Sequence, residues 1–271
     1  MKVDIAGVYV DNISKQEALE RIGEFIRSGK PHYAVTTYSE FVVFANKDIA
    51  YKSVLNQADL NLADGVGILW AAKYLDQPYK TKLSALWGIV TTGASIIFKR
   101  NSLNEYIQEQ ISGSRLLFDL AAYAATHNFS LALLGSIDGV AAKTAQVLKK
   151  KFPSLKVNIA IAGGKPFTGR DVEEINRSNS DILLVAYQPP RQELWIAQNL
   201  DKLNVKFAMG LGGTFDYVAG KRTPAPEFFH RIGLEWFWRL ITQPWRIKRM
   251  WNAIPVFIAI IYKYKISKLK T

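Results

Sequence analysis

Short apolar runs alternate with amphipathic helical patterns along most of the chain, and this alternation restricts the fold more than any other feature. Runs typical of buried strands lie at 2–5, 33–36, 59–62, 130–134, 156–160, 182–187 and 206–210. Strands separated by helices typically form parallel sheets, because the chain must cross back to the same end of the sheet before the next strand begins. The sequence therefore predicts an α/β fold with a mainly parallel sheet and flanking helices.

Three of the intervening segments carry specific helix signals. Ser14 and Glu17 form a capping-box pattern at the start of one helix, and Gly29 marks its end. The segment "GVAAKTAQVLKKK" repeats apolar residues at helical spacing and stops before Pro153. In "ILLVAYQPPRQELW" an apolar run ends in two prolines, which fix the backbone, and a helix over 191–199 is predicted to follow.

Polar or glycine-rich loops follow several of the predicted strands. These loops contain Thr36, Thr37 and Glu40, then Asp64, then Gly135 and Gly139, then Gln192, and finally Asp216. Parallel sheets bind ligands at the carboxyl ends of their strands, where glycine and helix amino termini can approach an anion. Asp64 fits a general base or an ordinary Asx turn, and no single loop decides between the two. Together the loops predict a site for a phosphorylated or nucleotide ligand.

Several kinds of chemistry are excluded or disfavoured by composition. The chain has no cysteine, so it has neither a disulfide framework nor a thiol nucleophile. Its three histidines, His32, His127 and His230, are scattered, and no cluster has metal-ligand spacing, so we expect no metal site. The amino terminus has no long apolar stretch typical of a signal peptide, and a cytoplasmic protein is expected.

The carboxy-terminal region is basic and rich in tryptophan. The formal net charge is +12, and 230–271 carries nine lysines and arginines against the single acid Glu235. Four of the seven tryptophans (236, 238, 245 and 251) lie in the same region. Basic residues alone could bind nucleic acid. Their mixture with Trp, Phe and Ile favours an anionic membrane surface instead.

Two apolar segments interrupt the α/β pattern. Residues 83–98 carry no charge, and 252–262 is apolar between Arg249 and Lys263. Both are shorter than the roughly 20 residues that a membrane-spanning helix needs. The first fits a core or oligomer-contact helix, a hairpin or a membrane-dipping loop. The second, which contains Pro255, fits a helix lying in the headgroup plane.

Five motifs occur in an order and spacing that resemble a known family. They are "ADGVG", "LLGSIDGVA", "PPRQELW", "GGTFDYVAGK" and "GLEWFWRL". Over 3–250 the chain is similar to the WecG/TagA/CpsF family of bacterial glycosyltransferases. The resemblance implies a Rossmann-like core and a helical, membrane-associating carboxy-terminal appendage. It also implies transfer of a sugar from UDP to undecaprenyl-diphosphate-linked N-acetylglucosamine, with inversion and without a metal ion or other cofactor.

Residue roles follow from the same resemblance. Asp64 matches the proposed general base, Thr36 a threonine on the acceptor side, and Gln192 a glutamine at the reaction centre. Three arginines of the appendage, Arg239, Arg246 and Arg249, match those that hold the diphosphate. Of these, Arg239 is assigned to catalysis and the other two to substrate binding. Gly135, Gly139 and Asp216 are also assigned to substrate binding, from their position in loops after predicted strands. A solvated or headgroup-binding face is the alternative for the arginines.

The sequence departs from the family pattern in four places. Tyr38-Ser39 stands where many members have Asn-Pro. Pro224 occupies an arginine position that Arg222 could fill. Arg115 replaces a usual aspartate, and 80–106 has the length of an insertion.

The hypothesis is a peripheral glycosyltransferase on the cytoplasmic face of the bacterial plasma membrane. We expect a core over 1–220 and an appendage over 221–271. N-acetylmannosamine is the first candidate sugar, in cell-wall or surface polysaccharide synthesis. The expected partners of the protein are a UDP-sugar, a polyprenyl-diphosphate-linked sugar and an anionic membrane. No binding to nucleic acid is expected, and self-association is left as a possibility. The alternatives are a different donor hexose or uronic acid in exopolysaccharide assembly, and a non-catalytic membrane or nucleic-acid binding module.

Overall fold

Six parallel strands form the centre of the protein. The computed structural model describes residues 1–164, 166–226, 228–229, 235–244 and 247–269. The strands are β3 (His32–Thr37), β4 (Leu60–Ala63), β5 (Ser130–Gly135), β6 (Lys156–Ile161), β7 (Ile182–Ala186) and β8 (Phe207–Gly210). Their order across the sheet is β4-β3-β8-β7-β5-β6, and every neighbouring pair is parallel. The predicted α/β fold with a mainly parallel sheet is confirmed.

The amino terminus forms a separate antiparallel hairpin. Strands β1 (Lys2–Ile5) and β2 (Val8–Asp11) pair only with each other through a turn at Ala6 and Gly7, both with positive φ. The strand predicted at 2–5 therefore exists but lies outside the main sheet, and β2 was not predicted. The hairpin is joined to the sheet because the Asp11 carboxylate accepts a 2.8 Å bond from the backbone N–H of Asn61 on β4.

Helices cover both faces of the sheet. They are α1 (Lys15–Ser28), α2 (Ser39–Lys47), α3 (Ile49–Gln57), α4 (Val66–Asp76), α5 (Lys82–Phe98), α6 (Gly113–Thr126), α7 (Val140–Lys151), α8 (Gly169–Arg177), α9 (Arg191–Asn199) and α10 (Thr214–Val218). Successive strand residues bury against opposite faces, as in β7, where Leu183 packs on one side and Leu184 on the other. The predicted capping box of α1 forms, and α1, α7 and α9 have the predicted bounds to within a residue or two.

The carboxy-terminal region is helical where it is described. It contains α11 (Glu235–Thr242), α12 (Ile247–Trp251), a π turn (Asn252–Val256) and α13 (Phe257–Ser267). Phe257 and Ile261 are fully buried in the same apolar core as the hairpin and α4. The segment predicted to lie in the headgroup plane thus packs one face into the protein. No helix in the described ranges combines the length and hydropathy needed to cross a bilayer.

Candidate active site

One cleft of about 740 Å³ runs along the carboxyl edge of the sheet. Loops after β3, β4, β5, β7 and β8 line it, and so do α4, α5 and the segment around α12 and α13. The predicted site residues Thr36, Asp64, Gln192, Asp216 and Arg249 all face this cleft. The expectation that these loops meet at one sheet edge is confirmed by the strand order.

Asp64 and Thr36 reach the same cleft because β3 and β4 are paired in parallel, with Thr36 opposite Leu62 and Asp64 just beyond the end of β4. The Asp64 backbone N–H donates to the carbonyl of Thr37 at 2.8 Å, which continues the strand pairing one residue beyond β4. The carboxylate of Asp64 accepts from the backbone N–H of Gly113 at 3.4 Å. Gly65, with φ of +87°, turns the chain from the strand into α4. The turn thereby directs the Asp64 carboxylate toward the loop before α6.

Gln192 joins two of the loops. Its Oε1 accepts from the backbone N–H groups of Tyr187 at 3.2 Å and Gly212 at 3.0 Å. Gly210 leaves the space that this side chain fills, since a Cβ there would lie 2.6 Å from Gln192 Nε2. Gln192 is 1% exposed. It lines the cleft, and it also fixes the loops after β7 and β8 against each other.

A buried acid lies directly behind Gln192. Glu193 is 1% exposed; it accepts from Nε2 of Gln192 and from the Tyr51 hydroxyl, the latter at 3.4 Å. Burial raises the pKa of Glu193 to about 7, and these hydrogen bonds only partly oppose the shift. The pKa of Tyr51 is raised by burial first and by the nearby Glu193 charge second. The burial of this acid was not predicted from the sequence.

Three polar side chains from the segments after β5 and β8 form one wall of the cleft. Ser136 Oγ donates to Asp216 at 2.6 Å, and Arg222 pairs with the same carboxylate at 3.1 Å. Gly135 and Gly139, which were predicted to bind substrate, are not among the residues that line the cleft. A Cβ at Gly135 would lie 2.3 Å from the carbonyl oxygen of Ala186, so glycine is required there. The residues of this loop that line the cleft are Ser136 and Ile137, which were not predicted from the sequence.

Besides Arg222, the region 221–271 contributes a second described guanidinium to the cleft, that of Arg249. Arg249 contacts the Glu40 carboxylate at 2.8 Å and the Tyr38 hydroxyl at 2.6 Å, and Tyr38 also donates to Glu40 at 2.8 Å. Burial alone would lower the pKa of Arg249, but its two partners outweigh burial and raise it. Arg239 lies on α11 with a side chain outside the described part of the chain, and Arg246 lies outside the described residues altogether.

The β4 side of the cleft is apolar. Val66, Trp70, Ile89, Ile96, Ile254, Phe257 and Ile258 line it. Val66 and Trp70 lie on α4, and the other five lie in the uncharged runs 83–98 and 252–262, whose composition was the only sequence signal for them. Within the described ranges, no three acidic or histidine side chains are grouped as metal ligands.

Comparison with known proteins agrees with this architecture. The model of the glycosyl transferase WecG/TagA/CpsF family matches residues 3–87 and 76–271. The chain belongs to this family. It is therefore a glycosyltransferase, and the sequence-level resemblance is confirmed.

Two relatives from Staphylococcus aureus strains give the comparison more detail. Each is 27% identical over 275 residues, and the alignment covers 99% of this chain and 93% of the relative. Both are named N-acetylglucosaminyldiphosphoundecaprenol N-acetyl-beta-D-mannosaminyltransferase.

Proposed function

We propose that this protein transfers N-acetylmannosamine from a UDP-sugar to undecaprenyl-diphosphate-linked N-acetylglucosamine. The main support for this proposal is that one cleft combines a carboxylate, a polar wall with a paired arginine, and an apolar wall. The carboxylate is Asp64, the arginine of the polar wall is Arg222, and Phe257 belongs to the apolar wall. A nucleotide donor would bind along the polar wall, and a lipid-linked acceptor would bind along the apolar wall. The names of the two relatives support this choice of substrates.

In this proposal Asp64 is the general base. Its carboxylate takes the proton from the acceptor hydroxyl as that oxygen attacks the anomeric carbon. The bond from that carbon to the UDP oxygen breaks, and UDP leaves with the electron pair. A single displacement of this kind inverts the anomeric configuration. Thr36, which lines the same cleft from the neighbouring strand β3, would orient the acceptor hydroxyl.

Guanidinium groups are proposed to stabilise the departing UDP in place of a metal ion. Arginine binds phosphate oxygens bidentately and keeps its charge at all relevant pH values. Arg249 is held at the cleft by Glu40 and Tyr38, and Arg222 by Asp216, so both are pre-oriented. Arg239 and Arg246 are proposed to join them from the appendage.

The proposed place of action is the cytoplasmic face of the plasma membrane. The basic, tryptophan-rich region 221–271 would bind the anionic surface, while 1–220 carries the catalytic core. This division supports an acceptor that stays embedded in lipid while its sugar enters the cleft.

The test is a transfer assay with UDP-N-acetylmannosamine and lipid-linked N-acetylglucosamine in detergent. UDP release and the mass of the lipid product would be followed, with and without a chelator. We expect a product one N-acetylhexosamine heavier and no loss of rate with chelator. A folded protein that turns over no UDP-N-acetylhexosamine would refute the proposal.

A different donor, a hexose or uronic acid used in exopolysaccharide assembly, is the second candidate. It is favoured by Tyr38 and Ser39, which line the cleft where many family members have Asn-Pro. Screening UDP-sugars by mass spectrometry of the lipid product separates the two candidates.

A further inference from the structure

Helix α5 carries its small side chains toward the protein and its large apolar side chains outward. Ala85, Gly88, Thr92 and Ser95 form its buried face. Leu83 (76% exposed), Leu86 (51%), Trp87 (66%), Val90 (58%) and Phe98 (81%) form what we call the outer face. A helix beside water normally has the opposite arrangement. Five large apolar side chains grouped on one helix face mark a surface that is covered in use.

The orientation of the outer face is fixed by packing. Trp70 Nε1 donates to Thr92 Oγ1 at 3.0 Å, and the Tyr74 hydroxyl donates to the carbonyl of Ala85 at 3.0 Å. At Gly88 an added Cβ would lie 2.2 Å from the Tyr79 ring, so the helix and this ring are in close contact. The packing of α5 against the protein therefore determines which of its side chains point outward.

Charge around the helix indicates what covers it. Lys80 and Lys82 at its start and Lys99 at its end are exposed, and no acid occurs between Asp76 and Glu105. Lysines next to Trp and Leu side chains fit an anionic lipid interface. A two-fold contact with a second copy would instead bring the same lysines together, which disfavours self-association through this face.

A neighbouring face of the same helix lines the cleft. Ile89, Gly93 and Ile96 contribute to its apolar wall, next to Trp70 and Phe257. The outer face and the cleft wall thus lie on adjacent sides of one rigid helix.

We propose that the outer face of α5 lies in the interfacial layer of an anionic bilayer. The apolar wall of the cleft then opens beside the lipid, so that a lipid-linked substrate reaches the cleft without leaving the membrane. This purpose rests on the proposed function, whereas the docking itself does not. Docking through α5 acts in addition to docking through the basic carboxy-terminal appendage.

The test compares the full chain with the variant carrying Leu83→Ser, Trp87→Ser and Val90→Ser. Ile49→Ser is the matched control, because Ile49 is an apolar residue of α3 that is 86% exposed. Each protein is sedimented with vesicles of phosphatidylcholine containing phosphatidylglycerol, and its thermal unfolding is recorded. We expect unchanged unfolding, wild-type binding for Ile49→Ser, and partitioning at least about 30-fold weaker for the triple variant, which is about 2 kcal/mol.

Binding of the triple variant within threefold of wild type would overturn the proposal. So would a wild-type protein that is larger than a monomer by sedimentation velocity and becomes monomeric in the triple variant without change in vesicle binding. Quenching by brominated lipids gives a second measurement, since Trp87→Phe should remove a large share of the quenched fluorescence. Lost vesicle binding together with no sugar transfer by wild type would support the docking and refute the proposed function.

Discussion

Replacing the buried acid Glu193 with glutamine should stabilise the protein in a pH-dependent way. Glu193 has a pKa of about 7 in the folded protein against an ordinary value of 4.5. The folded state therefore binds more protons than the unfolded state between these pH values, and stability falls as pH rises through this window. A difference of 2.5 pKa units at 1.36 kcal/mol each corresponds to about 3 kcal/mol. Glu193→Gln keeps the shape and an acceptor for Gln192 while removing the charge.

The assay is urea unfolding of both proteins across pH 4.5 to 8. The free energy of unfolding should be similar for the two at the acidic end, and the variant should be more stable by about 3 kcal/mol at pH 8. Glu20→Gln removes an exposed carboxylate of α1 and controls for net charge. Two results would contradict this reasoning: a stability difference that stays constant over the whole pH range, or a variant that is less stable than wild type at pH 8. Either would show that the buried Glu193 carboxylate does not destabilise the folded protein at high pH.

Two further predictions concern the two walls of the cleft. A Cβ added at Gly93 would meet no atom within 4 Å, so a leucine there can project into the cleft. Gly93→Leu should therefore slow transfer to a long polyprenyl acceptor by tenfold or more relative to a short-chain analogue, while Ala94→Leu on the exposed side of α5 should not. Equal effects of Gly93→Leu on both acceptors would argue against an apolar acceptor wall. Arg222→Gln should raise the KM for the donor about tenfold with less than about 1 kcal/mol lost in stability, because its pair with Asp216 is partly exposed. Arg177→Gln, which breaks an exposed pair with Glu173, should leave KM unchanged.

The fold was predictable because period and caps are local signals. The runs at 33–36 and 182–187 are buried on both faces of a parallel sheet, which gives continuous apolar sequence. The hairpin strand β2 was missed because "GVYVDN" is short and its partner had been placed in the main sheet. That assignment depends on pairing, which local sequence does not encode.

From residue patterns alone, the candidate site was predictable only where a loop follows a strand, and Arg249 was predicted only through the family resemblance. Asp64, Gln192 and Asp216 could be located that way. The contacts of Glu40 with Arg249 and of Glu193 with Tyr51 join positions far apart in sequence, so only the folded chain shows them. The outward apolar face of α5 was likewise hidden, because an uncharged run does not say which of its sides faces the protein.

The most direct test of the account is the transfer rate of Asp64→Asn. This change keeps the size of the side chain and an oxygen for the Gly113 N–H, so thermal unfolding should stay within a few degrees of wild type. Loss of a general base typically costs about 100- to 10,000-fold in rate, and kcat should fall by that amount. Asp138→Asn, in the exposed loop after β5, controls for the lost charge and should keep wild-type rates. A wild-type rate for Asp64→Asn would contradict the central claim that this carboxylate takes the acceptor proton.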